Sequence, residues 1–434
     1  MADLMWSREI ETASRDELHA LQSERLVKLV RRVYDNVPFY RNKMDAIGVK
    51  PDDIHGVEDL ELLPFTEKKD LRDNYPFGLF AAPQSEIVRI HASSGTTGKP
   101  TVAGYTKNDL ENWTDLVARG LTCAGITKND IVHIAYGYGL FTGGLGAHYG
   151  AERTGAAVIP VSGGNTQRQL MLLKDFKPTA ILCTPSYALN LADAMEKAGM
   201  STDEIALRVG VFGAEPWTDE MRARLQEKLK IDARDIYGLT EMMGPGVAME
   251  CFEKNGLHIW EDHFLPEIIG EDLKPLPDGT EGELVFTTLM KEGMPLIRYR
   301  THDLTLLDDT PCSCGRTHRR MKRVHARSDD MLIIRGVNVF PSQIEHAILQ
   351  IPGVTPEYQL IVDRKGNLDT LEVQVELDRS MMSDTVRDLE NLQKRIQMQL
   401  ASDVLVSCQV KLCTPGSLPR SEGKAKRIID NRKL

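Results

Sequence analysis

A chain of 434 residues and 48.6 kDa exceeds the size at which one hydrophobic core stops growing, so two or more domains are expected and a disulfide mini-protein is excluded. Hydrophobic residues make up 41% and charged residues 27%, with 34 Gly and 21 Pro, which is ordinary globular usage and excludes a fibrous or wholly disordered chain. Lys and Arg number 53 against 63 Asp and Glu, a net charge of -10 that argues against a coat for nucleic acid, and seven scattered cysteines do not make a secreted framework.

Residues 1–9 carry no apolar run behind a basic flank, and no uninterrupted apolar stretch reaches the ~18 residues a membrane span needs, so an untargeted cytoplasmic protein is expected. The first element is a helix from Ser14 to Tyr34, opened by a capping box of Ser14 and Glu17, with Leu18, Leu21, Leu26, Leu29, Val30 and Val33 at helical spacing until Pro38. Between 130 and 240 the pattern alternates. Runs at 131–137, 157–161, 179–184 and 208–213 read as strands, with helices near 166–175, 186–198 and 218–229 between them. Such alternation predicts βαβ units and a buried, largely parallel sheet whose ligands sit at the strands' carboxyl ends.

Beyond residue 270 the pattern changes to strands at 282–289 and 304–309, a basic segment at 316–327 and a strand at 331–336. A short helix at 342–350, a hairpin turning near Gly366, a helix near 383–401 and a strand near 408–412 predict a small α+β unit. The boundary falls near Ser328, giving a domain of 1–328 and a smaller one of 329–434.

Three motifs carry chemistry. HASSGTTGKPT, at 91–101, gathers Ser93, Ser94, Gly95, Thr96, Thr97, Gly98 and Lys99, whose hydroxyls, backbone N–H groups and ammonium suit a polyphosphate. Ser93 where the P-loop pattern needs Gly, and Pro100 after the lysine, exclude a P-loop. In DIYGLTE, at 235–241, a strand is expected to end at Tyr237, Gly238 frees the turn, and Thr240 and Glu241 follow; the ring can stack on a purine and the carboxylate can hold Mg²⁺. In YRTHDL, at 299–304, Asp303 is expected just before a strand, where it can accept from ribose hydroxyls or merely bond locally.

Taken in this order, with RSDDMLIIRGVNVFPSQIE (327–345), LPRSEGKAKRI (418–428), NVPFYR (36–41) and GLHIWEDHF (256–264), the chain resembles the acyl-adenylate-forming superfamily of acyl-CoA synthetases, adenylation domains and luciferases. Within it the resemblance is to the phenylacetate-CoA ligase subfamily. That likeness implies an α/β fold with a large N-terminal domain and a small mobile C-terminal α+β domain. It also implies an ATP- and Mg²⁺-dependent ligase that makes an acyl-adenylate and passes the acyl group to coenzyme A.

The resemblance assigns residues 93–99 to the β- and γ-phosphates, Asp235, Tyr237 and Gly238 to the nucleotide, Thr240 to the α-phosphate, Glu241 to Mg²⁺, and Asp303 and Arg327 to the ribose. Gly213, Ala214, Glu215 and Pro216 would line adenine and acyl pockets, with Gly143 and Pro245 on the acid side. Lys424 takes the catalytic lysine's place, with Lys426 as the competing candidate in the basic tail; Asp329 is the hinge and Gly336 lines the pantetheine tunnel. A homodimer is expected from the resemblance alone.

The strand exit at 136–146 offers Tyr136, Tyr138 and Phe141 among five glycines, without Lys, Arg or His, which suits an aromatic monoacid; the bland alternative is that these rings are core. Cys251, His258, Cys312 and Cys314 supply three thiolates and an imidazole, the donor set of a closed structural zinc site. Free buried cysteines, or His318 in place of His258, are the competing readings. A zinc-containing nucleic-acid binder built on the basic run at 316–327 is the non-enzymatic alternative, against which the acidic total stands; beside ATP or coenzyme A the same charges would serve polyanionic substrates.

Overall fold

The computed structural model describes residues 4–93, 100–324, 326–328, 332–334, 337–365, 368–383, 386–404, 406–420 and 427–432. The chain divides into two compact units. One comprises Met1–Cys183, Met200–Ala214 and Ile231–Arg323, and the other Thr184–Gly199, Glu215–Lys230 and Val324–Leu434.

The first unit begins as the sequence predicts. A helix spans Arg15–Asn36, with the Ser14 hydroxyl accepting from the Glu17 N–H and the Glu17 carboxylate accepting from the Ser14 N–H, and Leu18, Leu26, Leu29, Val30 and Val33 buried on one face. Pro38 starts a second helix, Pro38–Ala46, where its missing N–H costs nothing.

The main sheet holds nine strands among the described residues. Its parallel half runs Asp232–Leu239, Val209–Gly213, Ala180–Cys183, Ile131–Ile134 and Ala157–Ile159. Ala180–Cys183 and Val209–Gly213 are buried throughout, as a sheet covered on both faces requires. The other half is antiparallel: Gly244–Glu250 pairs with Asp232–Leu239, then Leu257–Ile259, Arg320–Met321 and Leu307–Asp308 follow. A separate antiparallel group joins Phe264–Ile269, Gly282–Thr288 and Tyr299–Thr305. The mixed α/β architecture therefore matches expectation, while the sheet is parallel in one half only.

Three local expectations are corrected. The strand carrying Tyr237 does not end there but continues to Leu239, because Gly244 and Pro245 still pair with it across a bulge. Asp303 lies inside the strand Tyr299–Thr305, on its buried face, because alternate residues of that strand point inward. Residues 142–146 belong to the helix Thr142–Arg153 and not to an open strand exit. Their glycines let this helix approach Lys107–Cys123 closely: a Cβ at Gly146 would fall 2.3 Å from the Trp113 ring.

In the second unit Val354–Lys365 and Leu368–Leu377 pair antiparallel on either side of the expected turn, and Gly366 lies outside the described residues. Gln409–Cys413 and Ile428–Asp430 flank this pair in parallel. The helices Pro341–Leu349 and Val386–Val404 bury Ile344, Ile348, Ile396 and Leu400 with Leu360 and Val373 of the sheet.

Five of the six basic residues at 316–327 have acidic partners inside the first unit. Arg316 and Glu11 form an ion pair at 2.7 Å with no side-chain exposure on either partner. Arg319 pairs with Glu261 and Asp278, Arg320 and Lys322 with Asp308, and Arg323 with Asp235. These charges are spent inside the unit, and the case for a nucleic-acid surface there falls away.

Glu261 shows what such pairs do. Burial alone would raise its pKa, but Arg319 and Arg15 outweigh burial and hold it at about 2, below its ordinary 4.5. A depressed carboxylate stabilises the fold above its unfolded pKa and loses that contribution as pH falls through the folded one. At ~1.4 kcal/mol per pH unit the contribution is about 3 kcal/mol. Thermal unfolding followed from pH 5 to 2 should show stability falling across this window, and Glu261→Gln should be less stable at pH 7 yet flatten the fall.

Candidate active site

The turn at 240–243 joins the strands Asp232–Leu239 and Gly244–Glu250, and the candidate site is built around it. Gly238 is required by a close approach: a Cβ there would fall 1.9 Å from the Gly244 carbonyl oxygen. The turn presents Thr240 and Glu241, both buried. The Thr240 hydroxyl meets that of Thr142, at the first turn of the helix Thr142–Arg153, at 3.2 Å. Tyr299 donates to Glu241 Oε1 at 2.6 Å and so orients the carboxylate. An oriented, buried carboxylate fits a hard divalent cation such as Mg²⁺, which takes oxygen ligands.

Two residues that the sequence offers separately meet here. The Tyr237 hydroxyl donates to Asp303 Oδ2 at 2.5 Å, and its ring lies 6.3 Å from that of Phe286. The ring can offer a face to a flat base, while Asp303 can accept from vicinal hydroxyls. On the same strand Asp235 forms an ion pair with Arg323 at 3.3 Å. The strand Val209–Gly213 ends beside Tyr237's strand: a Cβ at Gly213 would meet the Ile236 carbonyl at 2.3 Å, and Ala214 takes a left-handed φ of 70°. Strain of that kind at a strand exit is a mark of functional sites. Glu215 and Pro216 belong to the second unit, where Glu215 Oε1 accepts from the Ser186 N–H at 2.8 Å. Arg327 is also in that unit.

The acid-side candidates also cluster. A Cβ on Gly143 would stand 3.4 Å from the Phe141 ring and 3.5 Å from Tyr136 Cβ. Tyr136 is buried and Phe141 is 39% exposed, so only the second ring is open to solvent. Pro245 accepts at its carbonyl from Trp113 Nε1 at 2.9 Å. Tyr138 is engaged with His148 Nδ1 at 3.1 Å, and His148 with Glu152, so a histidine just beyond the stretch reaches it.

The strands Arg89–Ala92 and Val102–Tyr105 bring Ser93 and Thr101 together: the Ser93 N–H donates to the Thr101 carbonyl at 2.9 Å and the Thr101 N–H to Ser93 Oγ at 3.2 Å. Ser94, Gly95, Thr96, Thr97, Gly98 and Lys99, between them, lie outside the described residues, as do Asp329, Gly336, Lys424 and Lys426.

Cys251, His258, Cys312 and Cys314 come together with their ligand atoms all within 4.8 Å of one another. The Cys251 and Cys312 sulfurs are 3.8 Å apart, and Cys314 Sγ lies 3.4 Å from His258 Nε2. His258 Nδ1 donates to the His318 carbonyl at 3.1 Å, which leaves Nε2 facing the sulfurs in the manner of a metal-bound imidazole. Hydrogen bonding from Cys251, and then His258 beside it, pushes the Cys314 thiol well below its usual range. The His318 ring is used elsewhere, with Nε2 on the Ile10 carbonyl at 2.9 Å. The donor set fits zinc. Cys251 follows the far end of the strand Gly244–Glu250 from the turn at 240–243, about 20 Å of extended chain away.

Four residues of the site were not singled out in the sequence. Tyr105, Thr142, Lys291 and Tyr299 surround the turn at 240–243, yet their roles exist only once distant segments meet; Tyr299 lay inside YRTHDL and Thr142 inside the stretch at 136–146, while Tyr105 and Lys291 lay in no noted motif.

Comparison with known proteins gives a consistent picture. Residues 14–289 match the family described as AMP-binding enzyme, and residues 336–432 match the AMP-binding enzyme C-terminal domain. The chain is 56% identical to a phenylacetate-coenzyme A ligase of Escherichia coli (strain K12), over 98% of this chain and 97% of that one. It is 53% identical to a phenylacetate-coenzyme A ligase of Thermus thermophilus, over 99% of this chain and all of the relative. A solved 2-hydroxyisobutyryl-CoA ligase in complex with 2-HIB-AMP superposes with a TM-score of 0.94 at 30% identity, covering 100% of this chain and 94% of that one. Among the described residues no helix is long and apolar enough to cross a membrane.

Proposed function

The chain belongs to the AMP-binding enzyme family, and from that membership we propose that it is an AMP-forming ligase joining phenylacetate to coenzyme A. The near-full-length identity to two phenylacetate-coenzyme A ligases carries this reading. In the first half-reaction a carboxylate oxygen bonds to the α-phosphorus of ATP and pyrophosphate leaves. In the second, the thiol sulfur bonds to the acyl carbon, AMP leaves and the thiol proton passes to solvent. Adenylation gives the carboxylate a good leaving group and divides one hard step into two.

Within this reading residues 93–99 cradle the outer phosphates, Tyr237 lies against adenine, Asp303 and Arg327 accept and support the ribose, and Thr240 meets the α-phosphate. Gly213, Ala214, Glu215, Pro216, Tyr136, Phe141, Gly143 and Pro245 divide between base and acid. Glu241 would hold Mg²⁺, which when bound would neutralise charge on the phosphates. We place the functional division near residue 328, with Lys424 acting in adenylation, Gly336 lining the way for pantetheine, and the small domain turning about Asp329 between half-reactions. A cytoplasmic site of action fits the supply of ATP and coenzyme A and the survival of free thiols. We also expect a homodimer, which sedimentation checks.

The test is acid-dependent conversion of ATP to AMP across phenylacetate, benzoate, indoleacetate and a medium-chain fatty acid, with and without coenzyme A. Phenylacetate should have the highest kcat/KM and should need coenzyme A for AMP release. A fatty-acid preference overturns the acid, and release that ignores coenzyme A assigns another acceptor.

For Cys251, His258, Cys312 and Cys314 we propose tetrahedral structural zinc. Protein purified without added zinc should hold about one equivalent, and chelation should lower the unfolding temperature, since a ligand at ~1,000 times its Kd stabilises the fold by about 4 kcal/mol. Absence of stoichiometric metal would sink this assignment.

A further inference from the structure

The turn at 240–243 directs its four carbonyls at two side chains. Tyr105 OH donates to the Thr240 carbonyl at 3.0 Å and reaches that of Met243 at 3.4 Å. Lys291 Nζ donates to the carbonyls of Glu241 at 2.8 Å and Met242 at 2.6 Å. The two side chains also touch each other, with Nζ 4.8 Å from the centre of the Tyr105 ring, which stacks in turn on Trp113.

Lys291 is itself held in place. Asp109 accepts from the N–H groups of Glu292 at 2.7 Å and Gly293 at 2.8 Å, fixing the backbone just after it. The lysine is 2% exposed, and its Nζ meets backbone carbonyls and the Tyr105 ring rather than a carboxylate. Burial pulls its pKa down to about 8, with Asp109 and Glu241 opposing. A buried ammonium without a direct anionic partner is costly, and a neutral side chain of similar length would fill the space at less cost. What the ammonium supplies that a neutral chain does not is two directed donors at the carbonyls of one turn. Those carbonyls belong to the residue proposed to hold Mg²⁺ and the one after it.

We propose that Lys291, with Tyr105, is a positioning clamp for adenylation: it fixes the backbone at 240–243 so that the Thr240 and Glu241 side chains meet the α-phosphate and its cation. The clamp rests on the ligase reading above. It acts through the carbonyls of the turn and touches no substrate, so its loss should be felt first in metal-dependent nucleotide binding and in the first half-reaction. Groups that orient a ligand to a metal change metal affinity or activity about 10–100-fold when lost.

The full-length protein carrying Lys291→Met tests this, because methionine keeps the stem and removes the donors. Four readouts are taken: the Mg²⁺ dependence of ATP binding by calorimetry without acid, phenylacetate-dependent ATP–pyrophosphate exchange, thioester formation from supplied phenylacetyl-adenylate, and thermal unfolding. The clamp predicts a half-saturating Mg²⁺ concentration raised about tenfold and exchange reduced about 100-fold, with thioester formation retained. Lys291→Arg, which keeps donors, should recover part of the exchange. Unchanged Mg²⁺ dependence, or equal loss of both half-reactions with a lowered unfolding temperature, overturns the clamp. If Lys291→Met does not fold, Tyr105→Phe decides: a raised Mg²⁺ requirement supports the clamp and an unchanged one overturns it. A wild type without exchange rejects the ligase reading and the clamp together, whereas an active wild type with unaltered variants rejects the clamp alone.

Discussion

Lys424→Ala should lose acyl-adenylate formation by about 10³-fold or more while still converting supplied phenylacetyl-adenylate and coenzyme A to thioester. The first half-reaction brings a carboxylate against a polyphosphate, and both reactants are anionic. A lysine ammonium between them neutralises the charge that concentrates as the oxygen–phosphorus bond forms, and alanine leaves that repulsion uncompensated. The second half-reaction joins a thiol to a mixed anhydride and has no such encounter. Single-turnover pyrophosphate release and thioester formation, measured separately on the same preparation, separate the two. Equal loss in both would remove Lys424 from the role, and selective loss in Lys426→Ala would transfer it.

Glu241→Gln should reduce adenylation about 10²–10³-fold, with the fold intact. The amide keeps an oxygen to accept from Tyr299 and nearly the same volume, so the 2.6 Å contact that orients the side chain can persist while the charge is gone. A loss of this size at unchanged unfolding temperature would therefore report the charge and not the packing. Tyr299→Phe is the complement, because it keeps the charge and removes the orienting donor, and about a tenfold loss is expected. The pair is read by pyrophosphate exchange across a Mg²⁺ titration. Near-wild-type exchange in Glu241→Gln would show that the cation is held elsewhere.

Much of this was written in local sequence. The Ser14 and Glu17 capping box set the start of the helix Arg15–Asn36 to the residue, and the strand runs at 179–184 and 208–213 show as nearly continuous apolar segments because both faces of the sheet are covered there. Cys251, His258, Cys312 and Cys314 were identifiable by donor chemistry, although only the fold separates His258 from His318, whose ring turns to the Ile10 carbonyl. Composition could not place the charges at 316–323, since an arginine in solvent and an arginine in a buried pair read alike. Asp303 was misplaced by its polarity, which suggests a turn, whereas the strand carries it inward to Tyr237. Lys291 had no local signature at all, because its purpose is defined by a turn fifty residues earlier.

The buried pair between Glu11 and Arg316 also sets a schedule for biogenesis. The partners are 305 residues apart, and Arg15 awaits Glu261 across 246. At about 5–20 residues per second a ribosome needs roughly 15–60 s to supply Arg316 after Glu11 has emerged. Throughout that interval the helix Arg15–Asn36 can form, yet Glu11, in the short helix Arg8–Glu11 before it, lacks the counter-charge that lets its carboxylate be buried. The N-terminal segment is thus among the first made, yet its buried ion pair cannot close until nearly three quarters of the protein has been translated.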